Sequence, residues 1–372
     1  MIGIQAKQKP EELARIAIVG TVGVPGNYGG FETLAQNLVD FHDAVPTNST
    51  LTVYCAARAF PAQPKNYGSA LLRYIKLDAN GAQSVLYDAV SLYDAVRRGD
   101  NRLLLLGVSG ALFLPLVRLV SSAQIVTNID GIEWKRAKWK GFAKSFLRAS
   151  EWAAVRFSHQ IIADNQAIAD YVGQNYGKRC EVIAYGGDHA LRAAPTPAAT
   201  SGLPDGYALA LCRIEPENNV SMILEAFSGL ETPLVFVGNW DNSDYGRMLK
   251  TKYQENPNIV IHDPVYEPGA LRAIRDRAQL YVHGHSAGGT NPSLVEMMHF
   301  GIPVLAHGCV FNRYTTEDKA LYFETSKELA DEVRALRPEI SAAIGSEMRE
   351  VAQRRYNWGH IGEEYFRLLE CA

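Results

Sequence analysis

Short apolar runs, each ending in glycine or a polar residue and followed by a helical pattern, recur along most of the chain. In the first half they occupy residues 16–20, 51–55, 71–75, 103–108, 125–128, 160–165 and 180–183, with helical patterns at 31–41, 82–98, 111–121 and 167–175. In the second half they occupy residues 207–211, 234–237, 259–261 and 280–282, with helical patterns at 220–230, 245–256 and 269–278. Repeated strand–helix units predict parallel sheets covered on both faces. The sequence therefore predicts an α/β fold of two doubly wound, Rossmann-like domains, whose ligands bind beyond the carboxyl ends of the strands.

The boundary between the two halves is predicted from composition. Residues 192–206 form the one stretch rich in Pro, Ala, Ser and Gly without periodicity, which is typical of a linker. A chain of 372 residues is also long for a single core. We expect a first domain at 1–190, a linker at 191–206, a second domain at 207–355 and a C-terminal helix at 356–372 that packs back on the first domain.

Composition and charge exclude several classes of protein. The net charge of −3 lacks the excess of Lys and Arg that nucleic-acid binders need. The five cysteines are scattered without CxxC spacing, which argues against a disulfide framework or a zinc site and favours a reducing compartment. Residues 5–15 are polar and charged, so we predict no signal peptide. The apolar run at 103–117 is shorter than the roughly 20 residues of a spanning helix, and we interpret it as a buried strand, a turn and a buried helix.

The stretch at 283–298 predicts a binding site for an anion. Asn291 and Pro292 form a strong helix start, since Asn caps a helix and Pro suits its first position. Gly288 and Gly289 precede it and let the backbone approach a ligand closely. Unpaired amides of the first turn attract an anion. Glu296 lies about one turn further in, where a carboxylate can accept hydrogen bonds from a sugar diol; the alternative is a plain strand–helix turn.

Arg213 directly follows the run at 207–211, at the expected carboxyl end of a strand. A guanidinium fixed there can hold an anion through two parallel hydrogen bonds. The alternative is an ordinary surface ion pair.

The glycine-rich loop at 21–30 follows the first apolar run and precedes a helix, as in the first unit of a nucleotide-binding α/β fold. A dinucleotide site is the alternative, but the spacing is not G-x-G-x-x-G and no ribose-binding acid follows the next strand. Arg58 keeps a site for the 2′-phosphate of NADP open.

Two carboxylates and a basic, aromatic segment follow the run at 125–128. Asp130 and Glu133 lie at a strand end, where a catalytic base or a helix cap are both reasonable. Cations then interleave with aromatic residues: Trp134, Lys135, Arg136, Lys138, Trp139, Lys140, Phe142, Lys144, Phe146, Arg148 and Trp152. Such a segment can lie on an anionic membrane surface, or it is a solvated basic edge whose aromatic side packs in the core.

Four motifs, taken together, resemble those of the GT-B glycosyltransferases, and within them the retaining family 4 enzymes. They are Val24-Pro-Gly-Asn-Tyr-Gly-Gly-Phe-Glu32, Asn128-Ile-Asp-Gly-Ile-Glu-Trp-Lys-Arg136, Arg213-Ile-Glu-Pro-Glu-Asn218 and Gly288-Gly-Thr-Asn-Pro-Ser-Leu-Val-Glu296. The motifs are most similar to those of bacterial rhamnosyltransferases that add a β-1,4-linked rhamnose to a lipid-diphosphate-linked sugar. The resemblance runs over nearly the whole chain and implies a GT-B fold, with two Rossmann-like domains facing each other across a cleft.

The resemblance also implies roles for individual residues, with dTDP-rhamnose as the donor. Glu296 would take the ribose hydroxyls. The diphosphate would lie on Arg213 and the amides of Gly289, Thr290 and Asn291, and the base on the backbone near Val265 and Tyr266. Gly29 and Gly30 would approach the donor across the cleft, while Asp130, with Glu133, would face the acceptor hydroxyl.

Two positions depart from the broad family. Its first glutamate falls on Gly288, and its lysine five residues after the arginine falls on Asn218. Loss of the carboxylate fits a 6-deoxy sugar donor, and loss of the lysine leaves the diphosphate short of one cation.

The expected partners are therefore a nucleotide sugar, a lipid-linked sugar acceptor and a membrane surface, with no nucleic acid. No DxD triplet occurs, so we expect neither a metal nor another cofactor. The expected location is cytoplasmic, peripheral on the inner face of the cytoplasmic membrane. A UDP-sugar donor, a non-catalytic nucleotide-sugar binder and a dinucleotide-dependent oxidoreductase remain as alternatives.

Overall fold

The strands form where the sequence has its short apolar runs, and they assemble into two separate sheets. The computed structural model describes residues 13–26, 29–129, 131–135 and 141–371. The first sheet contains β1 (Ala14–Val19), β2 (Ser49–Ala56), β3 (Asn66–Tyr67), β4 (Ala70–Ile75), β5 (Arg102–Leu106), β6 (Gln124–Ile129), β7 (Gln160–Ala163) and β8 (Glu181–Val182). The second contains β9 (Tyr207–Leu211), β10 (Leu234–Val237), β11 (Ile259–His262), β12 (Ala278–His283), β13 (Val304–His307) and β14 (Leu321–Phe323).

Both sheets have a point at which the strand order reverses. The first follows the order β3-β4-β2-β1-β5-β6-β7-β8 and is parallel except for the short edge strand β3. The second follows β11-β10-β9-β12-β13-β14 and is parallel throughout. The reversals lie between β1 and β5 and between β9 and β12, where sheets of this kind bind ligands beyond the carboxyl ends of the strands. The prediction of two doubly wound domains is confirmed.

The helices cover both faces of each sheet, which hides the near-continuous apolar strands from water. The first domain has α1 (Gly30–Ala44), α2 (Ser84–Arg98), α3 (Leu114–Val120), α4 (Gly141–Phe157) and α5 (Gln166–Tyr176). The remaining helices are α6 (Val220–Phe227), α7 (Asp244–Tyr253), α8 (Pro268–Asp276), α9 (Pro292–Met298), α10 (Val310–Thr316), α11 (Ser326–Ala335), α12 (Pro338–Arg355) and α13 (Trp358–Cys371). Among the helices in the described ranges, none is long and apolar enough to cross a membrane.

The C-terminal helix α13 packs against α1 and the first sheet. The Ser49 hydroxyl donates to the Glu370 carboxylate at 2.8 Å, and Arg102 donates to the Leu369 carbonyl at 2.9 Å. The chain therefore crosses between the domains twice, once before β9 and once before α13. The two crossings touch, since the Gly187 amide donates to the Tyr356 carbonyl at 2.7 Å.

Some predicted elements differ from the observed ones. The strand predicted at 103–108 ends at Leu106, and the following helix begins with a 3₁₀ turn, Ala111–Phe113. The prediction that this helix is buried is wrong for its outer side, because Leu116 and Leu119 are exposed whereas Leu114 is fully buried. Strands β3 and β14 were not predicted, because two- and three-residue strands are too short to show a period. Helices α10 and α11 were not predicted either.

Candidate active site

The loop between β12 and α9 has the helix start that the sequence predicts. The Asn291 side chain caps α9 by accepting a hydrogen bond from the Ser293 amide at 3.1 Å, and Pro292 follows the cap. The Ser293 hydroxyl donates to the Asn291 side chain at 2.8 Å and accepts from the Tyr281 hydroxyl at 3.0 Å. Since Tyr281 is a buried residue of β12, the start of α9 is tied to the strand that precedes it.

Gly288 adopts a backbone conformation that other residues rarely adopt. Its φ is +118°, although a Cβ atom at this position would meet nothing within 4 Å. Space is therefore available, and backbone conformation is the restriction on a side chain at 288. A glutamate there would require a different path of the loop. Across the cleft, a Cβ atom built on Gly131 would lie 3.5 Å from the Gly288 Cα atom, so the loop after β6 reaches the loop before α9.

Glu296 lies on α9 with both carboxylate oxygens engaged. Arg275 of α8 donates to Oε2, and the His189 Nε2 atom lies 3.2 Å from Oε1. Burial raises the pKa of Glu296, but the Arg275 guanidinium and the hydrogen bond from His189 outweigh burial and hold this pKa below its ordinary value. The carboxylate is therefore ionised, and because it has about four acceptor positions, it can still accept hydrogen bonds from a diol.

His189 links this carboxylate to the crossings between the domains. The Trp358 indole donates to His189 Nδ1 at 2.9 Å, and an indole N–H can only donate. In the neutral ring the proton therefore lies on Nε2, which faces Glu296. The Trp358 amide donates to the Asp188 carboxylate at 2.8 Å, so the residue that begins α13 is fixed to the same segment.

Arg213 follows β9 and is available to a ligand. Its side chain is 42% exposed, and the Glu215 carboxylate is 3.9 Å away, at the limit of an ion pair. Asn218 is fully buried, and its side chain donates to the Arg213 carbonyl at 2.6 Å. The asparagine at the position of the family's lysine therefore shapes the arginine loop and does not face the cleft.

The two loops of the second domain that are predicted to bind the donor are joined to each other. The Asn219 side chain donates to the Gly284 carbonyl at 2.8 Å, and the Ser286 amide donates to the Glu217 carbonyl at 3.0 Å. The loop that carries Arg213 and the loop that carries Gly288 are therefore fixed to each other by two hydrogen bonds.

On the first domain, the glycine loop is held by α1. Gly29 has φ +130° and a Cβ atom there would overlap the Glu32 carboxylate, which in turn accepts from the Val22 amide at 2.9 Å. Gly30 begins α1 and lies against the Tyr185 ring. Gly29 is thus required for both its conformation and its lack of a side chain.

Of the two predicted catalytic carboxylates, Asp130 lies outside the described residues. Glu133 is half-buried at the start of a 3₁₀ turn, Glu133–Lys135, directly after the β6 loop that meets Gly288. Of the described neighbours of Asp130, Ile129 is buried in the core of the first domain, and Gly131 lies against the Gly288 loop.

The loop after β7, for which the sequence predicts no role, also contacts the donor loops. Asp164 is buried, and its carboxylate accepts from the Thr290 amide at 3.2 Å. The Thr290 hydroxyl donates back to the Asp164 carbonyl, and the Asn165 side chain donates to Thr315 of α10 at 3.2 Å. A Cβ atom on Gly289 would overlap the Asp164 carboxylate. A carboxylate oxygen of the protein therefore already accepts from one of the amides predicted to bind phosphate.

The other predicted positions lie further out. Val265 and Tyr266 follow β11, the first half-buried and the second exposed. Arg58, on which the NADP alternative depends, forms an exposed ion pair with Asp78 at 3.0 Å.

Only part of the predicted membrane segment is described. Trp134 is half-buried, with the charged groups of Lys144 and Arg148 at 5.5 and 5.4 Å from its ring centroid. The side chain of Lys135 and the whole of Arg136, Lys138, Trp139 and Lys140 lie outside the described residues.

Comparison with solved structures defines the class of the fold. Sucrose-phosphate synthase from Thermosynechococcus elongatus superposes with a TM-score of 0.80 at 16% identity, over 95% of this chain and 98% of that one. HepE of Anabaena, solved in complex with UDP-glucose, superposes with a TM-score of 0.71 at 16% identity, over 96% and 100%. A glycosyltransferase from Rickettsia africae reaches 0.70 at 11% identity, over 95% and 98%. The two facing parallel-sheet domains have the GT-B glycosyltransferase fold.

Family models match each half separately. Residues 200–337 match the glycosyl transferases group 1, and residues 13–188 match a domain of unknown function (DUF1972). No curated protein sequence matches the chain. The part of the chain that carries Arg213, Arg275 and Glu296 is therefore similar to the group 1 glycosyl transferases.

Proposed function

We propose that this chain is a retaining glycosyltransferase that moves a rhamnosyl group from a dTDP-sugar to a sugar on a polyprenyl-diphosphate lipid, in the synthesis of bacterial surface polysaccharides. The observation that carries the proposal is the Glu296 carboxylate, which is kept ionised by the buried Arg275 inside a group 1 glycosyltransferase domain. A fixed, ionised carboxylate with spare acceptor positions suits a ribose diol.

The donor diphosphate would bind beside this carboxylate. Arg213 is supported as its cation by its exposure and its weak pairing with Glu215. The amides of Gly289 to Asn291 would contact it at the start of α9, where a phosphate would compete with the Asp164 carboxylate for the Thr290 amide. The base would lie near Val265 and Tyr266.

In the reaction, the bond between the anomeric carbon and the diphosphate oxygen breaks, and a bond to the acceptor oxygen forms on the same face. The acceptor proton passes to the leaving diphosphate. Arg213 would stabilise the charge that develops on that diphosphate. Asp130, with Glu133, would orient the acceptor hydroxyl. We propose that no metal and no further cofactor takes part.

The acceptor would be reached at the inner face of the cytoplasmic membrane, where the protein would be peripheral. The proposal is supported by the exposed cations on α4, Lys144, Arg148 and Arg156, in a chain whose net charge is −3. Cations at a bilayer surface are attracted by anionic lipids.

A UDP-sugar is the second candidate donor. It is supported by HepE, which shares the fold and has been solved with UDP and with UDP-glucose.

A donor panel tests the proposal. We expect release of dTDP from dTDP-rhamnose, persisting in EDTA and lost in Arg213→Ala and Glu296→Ala. Arg247→Ala is the matched control, since this arginine forms exposed contacts with Asp241 and Asp244. Release of UDP from a UDP-sugar alone would transfer the proposal to the second donor. Absence of turnover with every nucleotide sugar, or full activity in both site variants, would contradict it.

A further inference from the structure

The outer surface of α2, α3 and α4 is unusually rich in exposed apolar side chains. Of the 17 large hydrophobic residues that are exposed in the described ranges, nine lie on these helices and the turn before α3. They are Leu86, Val90, Tyr93, Leu112, Leu116, Leu119, Val120, Phe142 and Trp152. Leu119 is 80% exposed and Phe142 is 84% exposed. We call this surface the docking face.

The exposed residues follow the period of a helix. On α2 they recur at 86, 90 and 93, while Tyr87, Leu92 and Ala95 of the same helix face the core. On α3 and its preceding turn they recur at 112, 116, 119 and 120, while Leu114 and Val117 are buried. A surface helix normally has one apolar side. These two helices have an apolar side towards the core and a second one towards the outside, which indicates a binding surface.

An apolar groove runs between α2 and α3. It encloses about 530 Å³ and is lined mainly by hydrophobic side chains, among them Val90, Tyr93, Val96, Phe113, Leu116 and Val120. Arg97 lies at its rim. The groove offers a hydrocarbon chain an apolar recess beside a cation.

On these helices the cations are exposed, whereas the acids are buried or paired. Six cations are exposed, of which Arg98 also lies 3.8 Å from the Asp100 carboxylate: Arg97, Arg98, Arg118, Lys144, Arg148 and Arg156. The three acids point inward or are paired: Asp88 is buried beside Ser109, Asp94 binds Arg73 and Tyr54, and Glu151 is buried and accepts from two tyrosines. The described part of the face is therefore cationic, whereas the whole chain has a net charge of −3.

We propose that the docking face binds an anionic lipid bilayer, with its apolar side chains in the interface and its cations on the lipid headgroups. Such a combination of an apolar surface with surrounding cations is what an interfacial surface requires. A second copy of the chain fits less well, because a symmetric contact through this face would bring the six cations of each copy together. The first turns of α4 contact the 3₁₀ turn Glu133–Lys135, so this end of the face lies next to the predicted acceptor loop. This surface rests on the proposed lipid-linked acceptor, because it is the part of the protein that would contact the membrane carrying that acceptor.

Vesicle sedimentation with the full chain tests the proposal. We expect binding to vesicles that contain phosphatidylglycerol, weakening with salt, and at least tenfold weaker binding to phosphatidylcholine alone. Leu116→Gln/Leu119→Gln should lower the affinity at least tenfold. The matched control is Met248→Gln/Ile340→Gln, which changes two exposed apolar residues elsewhere and should bind as the wild type does. Equal melting temperatures show that both variants fold.

A charge variant supplies the second arm. Arg97→Gln/Arg118→Gln should weaken binding and reduce its salt dependence. The proposal is overturned if the wild type does not sediment with anionic vesicles, or if the leucine variant binds them as tightly as the wild type does. It is also overturned if the wild type is a dimer that the leucine substitutions dissociate while vesicle binding stays unchanged. Sugar transfer to a short-chain, water-soluble acceptor separates the two proposals. If transfer fails with vesicle binding intact, only the proposed function fails; if transfer succeeds without vesicle binding, only the docking face fails.

Discussion

Replacing Glu296 by glutamine separates the structural role of this carboxylate from its predicted role in donor binding. The Arg275 side chain is only 6% exposed and the Glu296 side chain 12% exposed, so the substitution leaves a buried guanidinium without its counter-charge. Breaking a buried pair from one side typically costs about 3–5 kcal/mol. In a domain of this size, each kcal/mol of lost stability lowers the melting temperature by about 2–4 °C. The melting temperature of Glu296→Gln should therefore be at least ~6 °C lower than that of the wild type.

The double variant Arg275→Met/Glu296→Gln removes both charges. It should recover most of the lost stability, because exchanging a buried ion pair for neutral residues is often close to neutral. Nucleotide affinity should not recover. A hydrogen bond to a charged group contributes about 1.5–3 kcal/mol, so we expect dTDP or UDP to bind at least roughly tenfold more weakly to both variants in titration calorimetry.

Glu151→Gln is the control for a buried carboxylate outside the cleft. Glu151 is buried and accepts hydrogen bonds from Tyr171 at 2.7 Å and from Tyr176 at 2.5 Å. This variant should lose stability and keep wild-type nucleotide affinity. The reasoning is refuted if the folded double variant binds nucleoside diphosphates as tightly as the wild type.

Three further outcomes follow from the cleft. Arg213→Gln should leave the melting temperature unchanged and weaken nucleoside diphosphate binding about tenfold or more, while binding of the free nucleoside stays the same; an equal loss for both ligands would contradict a phosphate contact. Asp164→Asn should tighten nucleoside diphosphate binding by roughly tenfold, because a like charge leaves the Thr290 amide; weaker binding by calorimetry would show that the carboxylate helps to hold the donor. Burial raises the pKa of Glu296, but Arg275 holds this pKa below its ordinary value of 4.5. The ionised carboxylate therefore stabilises the fold above about pH 4.5, and this stabilisation is lost as the pH falls through the lower folded-state pKa. Acid unfolding of the Arg275→Met/Glu296→Gln variant should therefore depend less on pH below 4.5 than that of the wild type, and parallel curves would contradict this.

The fold could be predicted because its signals are local. Each buried strand is a short apolar run, and the start of α9 is written in adjacent residues, Asn291 and Pro292. The positions of Gly288, Arg213 and Glu296 follow directly from these elements, since all three come from strand–helix units of one sheet.

The contacts that fix the site could not be predicted in the same way. The carboxylate of Asp164 and the Thr290 amide are 126 residues apart, and His189 reaches Glu296 from the segment that joins the domains. No local period relates such residues, because their contact depends on how the domains pack. The role of Asn218 could not be predicted either, since only the structure shows that its buried side chain donates a hydrogen bond to the Arg213 carbonyl.

The outer side of α3 shows where composition misleads. Because α3 is apolar except for Arg118, its composition predicts a buried helix. Its exposed residues nevertheless have the same helical spacing as its core residues. Sequence gives the period of both sides but not which side has a neighbour. Only the packing of α2, α3 and α4 on the first sheet shows that one side is left uncovered.

The most direct test of sugar transfer across this cleft is incorporation of labelled sugar from dTDP-rhamnose into an organic-extractable lipid acceptor. We predict labelled lipid with the wild type and Glu151→Gln proteins, and at least a tenfold loss of initial rate with the folded Arg275→Met/Glu296→Gln protein. Equal incorporation by the double variant, or no incorporation from any dTDP- or UDP-sugar by the wild type, would contradict the account.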